Sequence, residues 1–307
     1  MTKVLLRSIG LVGSVGWIYI FATNFSFPTP DKLLLLALFL GLFFGQAFEL
    51  MKRLLPFIAL LYLYDLFRGF ADYLNTHVNY MWMPQMDKLL AFGQLPTTYL
   101  QNVLWHGQVR WFDILLYGFY MMHYVFPLIL AILIWKFRDN HYLRFATAYV
   151  LVSFAGFITF VLFPAAPPWM ASDMHLIENV HRVSSDVWWA MGVHDFPSLY
   201  GEISPNAVAA VPSLHAAYAT MFCLFIFRYF KKSKLKYLSL SYPLAIYFGT
   251  VYMAEHYLVD EIIGALYGLV AFKASEPVAV WLKNRYAKIV SRLDIKKRLA
   301  YVFASLN

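Results

Sequence analysis

The sequence predicts an all-α polytopic membrane protein with about eight transmembrane helices. Hydrophobic residues make up 61% of the 307 residues and charged residues only 14%, whereas soluble domains usually carry roughly one quarter charged residues. Apolar runs near the length needed to cross a bilayer recur along the chain. Basic residues gather between alternate runs, which is the pattern of the positive-inside rule. We therefore expect both termini in the cytoplasm.

Eight apolar runs set the predicted spans. They cover residues 4–22, 33–50, 54–70, 111–136, 143–163, 210–230, 237–254 and 258–275. With the N-terminus inside, 20 of the 25 Lys and Arg residues fall on the cytoplasmic side. The five that fall on the outer side are Lys32, Arg68, Lys88, Arg110 and Arg182. This asymmetry supports both the number of spans and their orientation.

A single membrane domain accounts for the whole chain. The formal charge of +8 does not indicate nucleic-acid binding, because the basic residues lie between apolar runs and not along one exposed face. Two outer stretches are predicted to form a cap, the first of them through short amphipathic helices. The basic C-terminal stretch is typical of a helix on the anionic cytoplasmic leaflet. The predicted regions are 1–70 (N-terminal spans), 71–110 (interfacial helices), 111–275 (catalytic core with the outer loop 164–209) and 276–307 (cytoplasmic tail).

A short polar cluster opens the last predicted span. His256 and Asp260 stand four residues apart and share one face of a helix. The carboxylate can hold one ring N–H while the other nitrogen stays free, which prepares an imidazole to act as a nucleophile or a base. Charged groups at membrane depth are costly, so a functional role is the default interpretation. The alternative is a helix end that reaches into headgroup water.

A second polar cluster lies at the outer start of the sixth span, at Val211-Pro-Ser-Leu-His215. Pro212 suits the first turn of a helix, and the free N–H groups of that turn, together with the Ser213 hydroxyl, form a natural cradle for an anion. One membrane hairpin separates His215 from His256. Both histidines are therefore predicted on the same side of the membrane at similar depth, beside a phosphate site.

Four further residues are candidates for binding a substrate phosphate. Asp65 and Arg68 are three apart on the third span, and they either pair with each other or offer the guanidinium to phosphate oxygens. His123 lies inside the fourth span, where it either lines a headgroup pocket or is a hydrogen-bonded core histidine. Arg110 lies at the outer mouth, where it either binds a ligand or extends toward water.

Three segments resemble the signature motifs of the type-2 phosphatidic acid phosphatase superfamily. They are Pro164-Ala-Ala-Pro-Pro-Trp169, Val211-Pro-Ser-Leu-His215 and His256-Tyr-Leu-Val-Asp260. More narrowly, they are similar to those of its inositol phosphorylceramide synthase branch, the aureobasidin-target enzymes. The resemblance implies a six-helix core over about the last two-thirds of the chain.

The resemblance also implies a role for each residue of these motifs. His256 would attack phosphorus and form a phosphohistidine, and Asp260 would orient it. His215 would protonate the departing oxygen and later deprotonate the acceptor, while Ser213 and nearby amides hold the phosphate. Phosphoryl transfer needs the same division of labour on chemical grounds. No metal or other cofactor is expected, and the cap histidines His175, His181 and His194 are too irregularly spaced for metal ligands.

The chain departs from the phosphatase pattern at three positions. Gly156, Phe163 and Thr250 stand where phosphatase members of the family carry Lys, Arg and Arg. The usual phosphate-binding cations are therefore absent, and Arg68, His123 and Arg110 become candidate substitutes. This departure favours the synthase branch over a generic phosphatase.

The sequence leaves three functions open. The first is a phosphotransferase that moves an inositol phosphate-like headgroup from a phospholipid to a lipid alcohol at the outer face. The second is a phosphatase acting on a polyprenyl phosphate or diphosphate, a phosphatidate or a similar lipid phosphate. The third is a lipid transporter, which the absence of a visible internal repeat disfavours. The expected partners are these lipids and the membrane itself, and the expected location is a bacterial inner membrane with the site facing the periplasm or exterior.

Overall fold

The computed structural model describes residues 3–23, 30–192 and 206–304, and within them the chain is helical. A 3₁₀ turn at Asp139–His141 and two isolated β-bridges are the other regular features of these residues. The α-helices are α1 (Lys3–Thr23), α2 (Pro30–Phe43), α3 (Ala47–Arg68), α4 (Ala71–Leu74), α5 (Trp82–Leu90), α6 (Pro96–Leu104), α7 (Trp111–Arg138), α8 (Tyr142–Leu162), α9 (Pro168–Asp173), α10 (Val183–Ala190), α11 (Leu214–Tyr229), α12 (Leu235–Leu238), α13 (Ser241–Tyr252) and α14 (Leu258–Ala304).

Two stretches among the described residues are long and apolar enough to cross a membrane. They are Lys3–Ile20 in α1 and Val125–Leu162, which runs from α7 into α8. Leu34–Phe43 and Leu214–Tyr229 are apolar but shorter. The all-helical fold is thus confirmed, while the eight spans and the orientation of the termini stay predictions.

The turn between the second and third helices lies earlier than the sequence predicted. The chain breaks at residues 44–46 and not near the basic pair Lys52-Arg53, which lies inside α3. Gly45 takes a φ of +68°, and its amide donates to the Leu42 carbonyl. A glycine in the left-handed region is the usual way to end a helix, and this local signal prevails over the charges.

Helices α11 and α14 pack closely through two glycines four residues apart. A Cβ at Gly264 would overlap the carbonyl oxygen of Ser213, and one at Gly268 would lie 2.5 Å from the carbonyl oxygen of Ala217. Small residues at this spacing let two helix backbones touch. The contact holds the N-terminus of α11 against the first turns of α14.

Three extended segments join the outer loops around the first motif. Asn79 donates its amide to the Pro164 carbonyl at 2.8 Å, and its own carbonyl accepts from the Ala166 amide at 3.0 Å. Ala165 in turn accepts from the Ala210 amide at 3.1 Å. The first motif is therefore fixed between the segment that precedes α5 and the segment that leads into α11.

Candidate active site

The two predicted histidines meet directly. His215 lies in the first turn of α11 and His256 lies just before α14. The Nδ1 atom of His215 is 3.2 Å from the Nε2 atom of His256. The His256 residue is only 6% exposed, so bulk water does not compete for this contact. The folding of one hairpin brings the pair together, as the spacing of the motifs predicted.

Asp260 stands on the other side of the His256 ring. Its Oδ2 atom lies 3.6 Å from Nδ1 of His256, slightly beyond hydrogen-bond distance. The same oxygen accepts the backbone N–H of Tyr257 at 2.9 Å. The Oδ1 atom is buried and has no hydrogen-bond partner within the described part of the chain. A small rotation of the carboxyl group would complete a hydrogen bond to His256.

Ser213 caps α11. Its Oγ atom accepts from the amide of Ala216 at 3.2 Å, and its own amide donates to the carbonyl of Asp260 at 3.1 Å. The helix begins at Leu214, so Pro212 lies one residue before the cap. The sequence predicts Pro212 in the first turn, and the structure differs from this prediction. The Ser213 side chain also hydrogen-bonds to the carboxyl group of Glu261, and the start of α11 faces the segment that holds Asp260.

Helices α7 and α3 complete the surroundings of His215. The Tyr120 ring stacks on the His215 ring with centroids 4.3 Å apart, and His123 contacts the same ring edge-on at 4.3 Å. His123 is itself fixed by a 3.1 Å contact between its Nδ1 and the Tyr120 carbonyl. The charge of Arg68 acts on both His123 and His215. The structure thus brings His123 into contact with the histidine pair, while Arg68 acts on it through its charge.

The remaining candidates are placed differently. Arg110 lies over the Phe112 ring at 4.5 Å, and its amide donates to Asp113. Among the described residues, none of its contacts is with His215 or His256, but its Nε and Nη2 atoms are buried without hydrogen-bond partners. The side chain of Asp65 is outside the described residues, so its pairing with Arg68 stays a prediction.

Of the three cap histidines, His194 lies outside the described residues. His181 pairs with Asp186 and stacks on Trp105 with ring centroids 5.0 Å apart. His175 has a φ of +57° and ends the α9 turn. These contacts give His181 a structural role in holding the outer loop against α6.

The three positions that depart from the phosphatase pattern are filled by other contacts. A Cβ at Gly156 would lie 2.9 Å from the Leu214 side chain, so a longer side chain there would collide with the start of α11. Thr250 donates its hydroxyl to Glu261 at 2.9 Å. Phe163 packs against Trp82 with ring centroids 5.8 Å apart. The site is therefore built without cations at these positions.

Sequence reasoning missed Asp87, which links α5 to the start of α14. Its Oδ2 atom accepts from the Leu258 amide at 2.9 Å, and its Oδ1 atom accepts from the Val259 amide at 2.8 Å. The side chain is fully buried, and desolvation raises the pKa of Asp87 to about 6 in spite of these two amides. No local sequence pattern predicts this contact, because the partner residues are 171 or more positions apart in the chain.

A second missed element is an ion pair at the residue before His256. Arg182 donates from Nε to Glu255 at 2.9 Å and lies over the Trp169 ring at 4.0 Å. Ser184 also donates to Glu255. Because Glu255 is 4% exposed, the pair ties the outer loop and the first motif to the segment that carries His256.

Comparison with known proteins places these residues in a family. A model described as the PAP2 superfamily matches residues 87–274. The chain is 30% identical to the phosphoinositol dihydroceramide synthase of Bacteroides thetaiotaomicron, over 79% of this chain and 84% of that protein. It is 28% identical to the inositol phosphorylceramide synthase of Candida albicans, over 62% of this chain and 41% of that protein.

A shorter match is found to a second fungal protein. The inositol phosphorylceramide synthase catalytic subunit of Saccharomyces cerevisiae is 31% identical over 38% of this chain and 30% of that protein. The chain thus spans less than half of either fungal relative. No solved structure matches. The matched region, which begins at Asp87 and contains all three motifs, shows that the chain belongs to the PAP2 superfamily, in its inositol phosphorylceramide synthase-like branch, and that it is a phosphotransferase or phosphatase.

Proposed function

We propose that this protein transfers a phosphorylated headgroup of the inositol phosphate type from a phospholipid to a lipid alcohol, through a phosphohistidine on His256. The observation that carries the proposal is the 3.2 Å contact between His215 and His256 with Asp260 behind it. The relatives named inositol phosphorylceramide synthase and phosphoinositol dihydroceramide synthase support this headgroup, and the Bacteroides protein supports a dihydroceramide-type acceptor.

The geometry favours one arrangement of protons. With Nδ1–H of His256 directed at Asp260, its Nε2 atom carries the lone pair and accepts from Nδ1–H of His215. His256 is then the nucleophile and His215 the acid. Attack on phosphorus requires a neutral imidazole whose Nε2 lone pair becomes free when this contact opens.

The first half-reaction would break the bond between phosphorus and the diacylglycerol oxygen of the donor. As the Nε2 atom of His256 bonds to phosphorus, the oxygen leaves with the bonding electrons and takes a proton from the imidazolium form of His215, which becomes neutral. The resting contact between the histidines must open to admit the phosphate. The positive charge of Arg68 and the first amides of α11 would stabilise the charge that spreads over the equatorial oxygens.

The second half-reaction would return His256 to its starting state. The acceptor hydroxyl attacks phosphorus, its proton passes to His215, and the bond between phosphorus and Nε2 breaks. Hydrolysis differs only in that water takes the place of the acceptor, so the same residues would serve a lipid phosphatase. We propose that the reaction takes place at the periplasmic face of a bacterial inner membrane.

The experiment that tests this function uses purified protein with a panel of headgroup-labelled phospholipids and lipid phosphates, with and without ceramide-type and diacylglycerol acceptors. Wild type is expected to move the label from phosphatidylinositol to the ceramide-type lipid. His256→Ala should lose about 10⁴-fold or more of the rate, and His215→Ala about 10²- to 10⁴-fold. His141→Ala is the matched control, because this exposed histidine ends the 3₁₀ turn and stacks on Tyr229.

Each other outcome points elsewhere. Release of label into water with none in an acceptor lipid would identify a hydrolase. If no lipid in the panel is turned over and His256→Ala behaves like wild type, both histidines are structural. A lipid transporter then becomes the leading hypothesis.

A further inference from the structure

We propose that Asp87 is a positioning residue for this reaction, one that holds His256 and Asp260 in place by capping α14 from another helix. The inference rests on the proposed function of the histidine pair. Asp87 lies on α5, in the outer cap, and does not contact either histidine among the described residues.

The start of α14 presents three successive amides to two carboxylates. The first amides of a helix have no partner within the helix. Here Asp260 accepts from Tyr257, while Asp87 accepts from both Leu258 and Val259. All distances lie between 2.8 and 2.9 Å. The two carboxylates therefore divide the helix terminus between them.

This division is what leaves Asp260 available to His256. Because Asp87 satisfies two amides, Asp260 needs to accept only one, and its Oδ1 atom stays without a partner in the described chain. Without Asp87, the amides of Leu258 and Val259 would lose these acceptors. The Asp260 carboxylate is the acceptor already bonded to the neighbouring amide, so it would be drawn toward them and away from the His256 ring.

The usual local solution is not open to this helix. An N-cap is normally a Ser, Thr, Asp or Asn that precedes the first turn, but Tyr257 occupies that place. Its side chain has no short polar group that could reach back to the amides. The cap is instead supplied from a distant part of the chain.

Asp87 is itself held rigidly. On α5, Met83 is fully buried in a cluster that also contains Ala165, Val211 and Tyr257, one residue from each motif segment. The neighbouring Lys88 forms an ion pair with Glu178 of the outer loop. Because a residue of every motif packs against α5, a shift of α5 would also displace the start of α14. The outer cap is thus a built-in part of the catalytic arrangement.

The test is a double-mutant cycle on purified enzyme with the donor and acceptor found above. Asp87→Ala is expected to lower kcat about 10²-fold, the size expected for a slight misplacement of reacting groups, with KM changed less than about threefold. Asp87→Asn keeps one acceptor and should recover part of the loss; it also serves if the alanine variant folds poorly. Asp173→Ala removes an exposed carboxylate at the end of α9, so it is the matched control and should keep kcat within about twofold.

The cycle separates positioning from general stability. If Asp87 acts through Asp260, then adding Asp87→Ala to Asp260→Asn should cost less than about threefold more, because the first change has already removed what Asp87 supports. Losses that multiply, or a kcat within about threefold of wild type for Asp87→Ala, would overturn the role while leaving the transferase assignment intact. A wild type that turns over no lipid would overturn both.

Discussion

The helix pairs α1/α2 and α11/α14 use the same packing device for different ends. In the N-terminal pair, a Cβ on Gly10 would overlap the Phe43 amide of α2, just as one on Gly264 would overlap the carbonyl of Ser213. Both contacts bring backbone against backbone. Glycine-mediated contact is therefore a general means of association in this chain, and it does not by itself mark a functional site.

The difference lies in what surrounds each contact. In α1, the buried polar side chain is Ser14, which donates back to the Gly10 carbonyl at 2.7 Å and so satisfies itself within its own helix. Beside the α11/α14 contact lie Asp260 and His256, whose carboxyl oxygen Oδ1 and ring nitrogen Nδ1 are buried without hydrogen-bond partners among the described residues. Ser14 therefore serves packing alone, whereas Asp260 and His256 face each other across 3.6 Å and leave the Nε2 atom of His256 directed at His215.

The strongest test of this difference is to add one methyl group to a contact glycine in each helix pair. Gly264→Ala must push α14 away from Ser213, which separates His256 from His215, and we expect kcat to fall about 10²-fold. Gly10→Ala should loosen α1 from α2 and lower the melting temperature, with kcat within about twofold of wild type. Turnover and thermal unfolding in detergent measure both. An active Gly264→Ala variant would show that the histidines do not depend on this contact.

Arg68 offers a second test, since its charge acts on His123 and His215. If it replaces the cations missing at the three phosphatase positions, Arg68→Ala should lose most of the activity, at least about tenfold, as charge-assisted contacts to phosphate are worth about 1.5–3 kcal/mol. The protein should remain folded by size-exclusion chromatography. Arg7→Ala, which removes an exposed cation from α1, is the control expected to stay active. Near-normal turnover of Arg68→Ala would remove Arg68 from the site.

The histidine pair was predictable from sequence because the relevant distances are topological. One hairpin separates Val211–His215 from His256–Asp260, and helical spacing alone puts His256 and Asp260 on one face. The small-residue pair Gly264 and Gly268 was equally readable, as four-residue spacing is a known packing signal. The sequence does not show which helix these two glycines contact, so their role at the site could not be predicted.

Other features could not be predicted, for physical reasons that differ. Asp87 lies on a helix whose pattern indicates an interfacial position, and its partners are amides, which every residue has. Nothing in the residue types marks that contact. The helix ends at Gly45 and not at the boundary predicted between residues 50 and 54, because a glycine able to adopt positive φ is a stronger signal for a helix end than the basic pair Lys52-Arg53.

The smallest expected effect is a pH dependence due to Asp87. As the pH falls, the folding stability and kcat should change in opposite directions. Desolvation raises the pKa of Asp87 from 3.8 to about 6. A carboxyl whose pKa is higher in the folded state contributes stability that is fully present below pH about 4 and is lost as the pH rises through about 6. Wild type should therefore become more stable relative to Asp87→Asn as the pH falls from 7.5 to 5, by about 1.4 kcal/mol, because pH 5 lies about one unit below the folded-state pKa. Its melting temperature should rise accordingly.

Activity should move in the opposite direction. The ionised carboxylate is the form that accepts two amides well, so protonation of Asp87 below pH 6 should weaken the cap and lower kcat in wild type. Asp260 and Tyr257 are the titratable neighbours that interact with Asp87, and both remain in Asp87→Asn, so the difference between the two proteins isolates Asp87. If the melting-temperature difference is constant across this range, the carboxylate is ionised at little cost. In the expected case, the protein keeps a destabilising charge at neutral pH because that charge holds the start of α14 in the arrangement that the histidine pair requires.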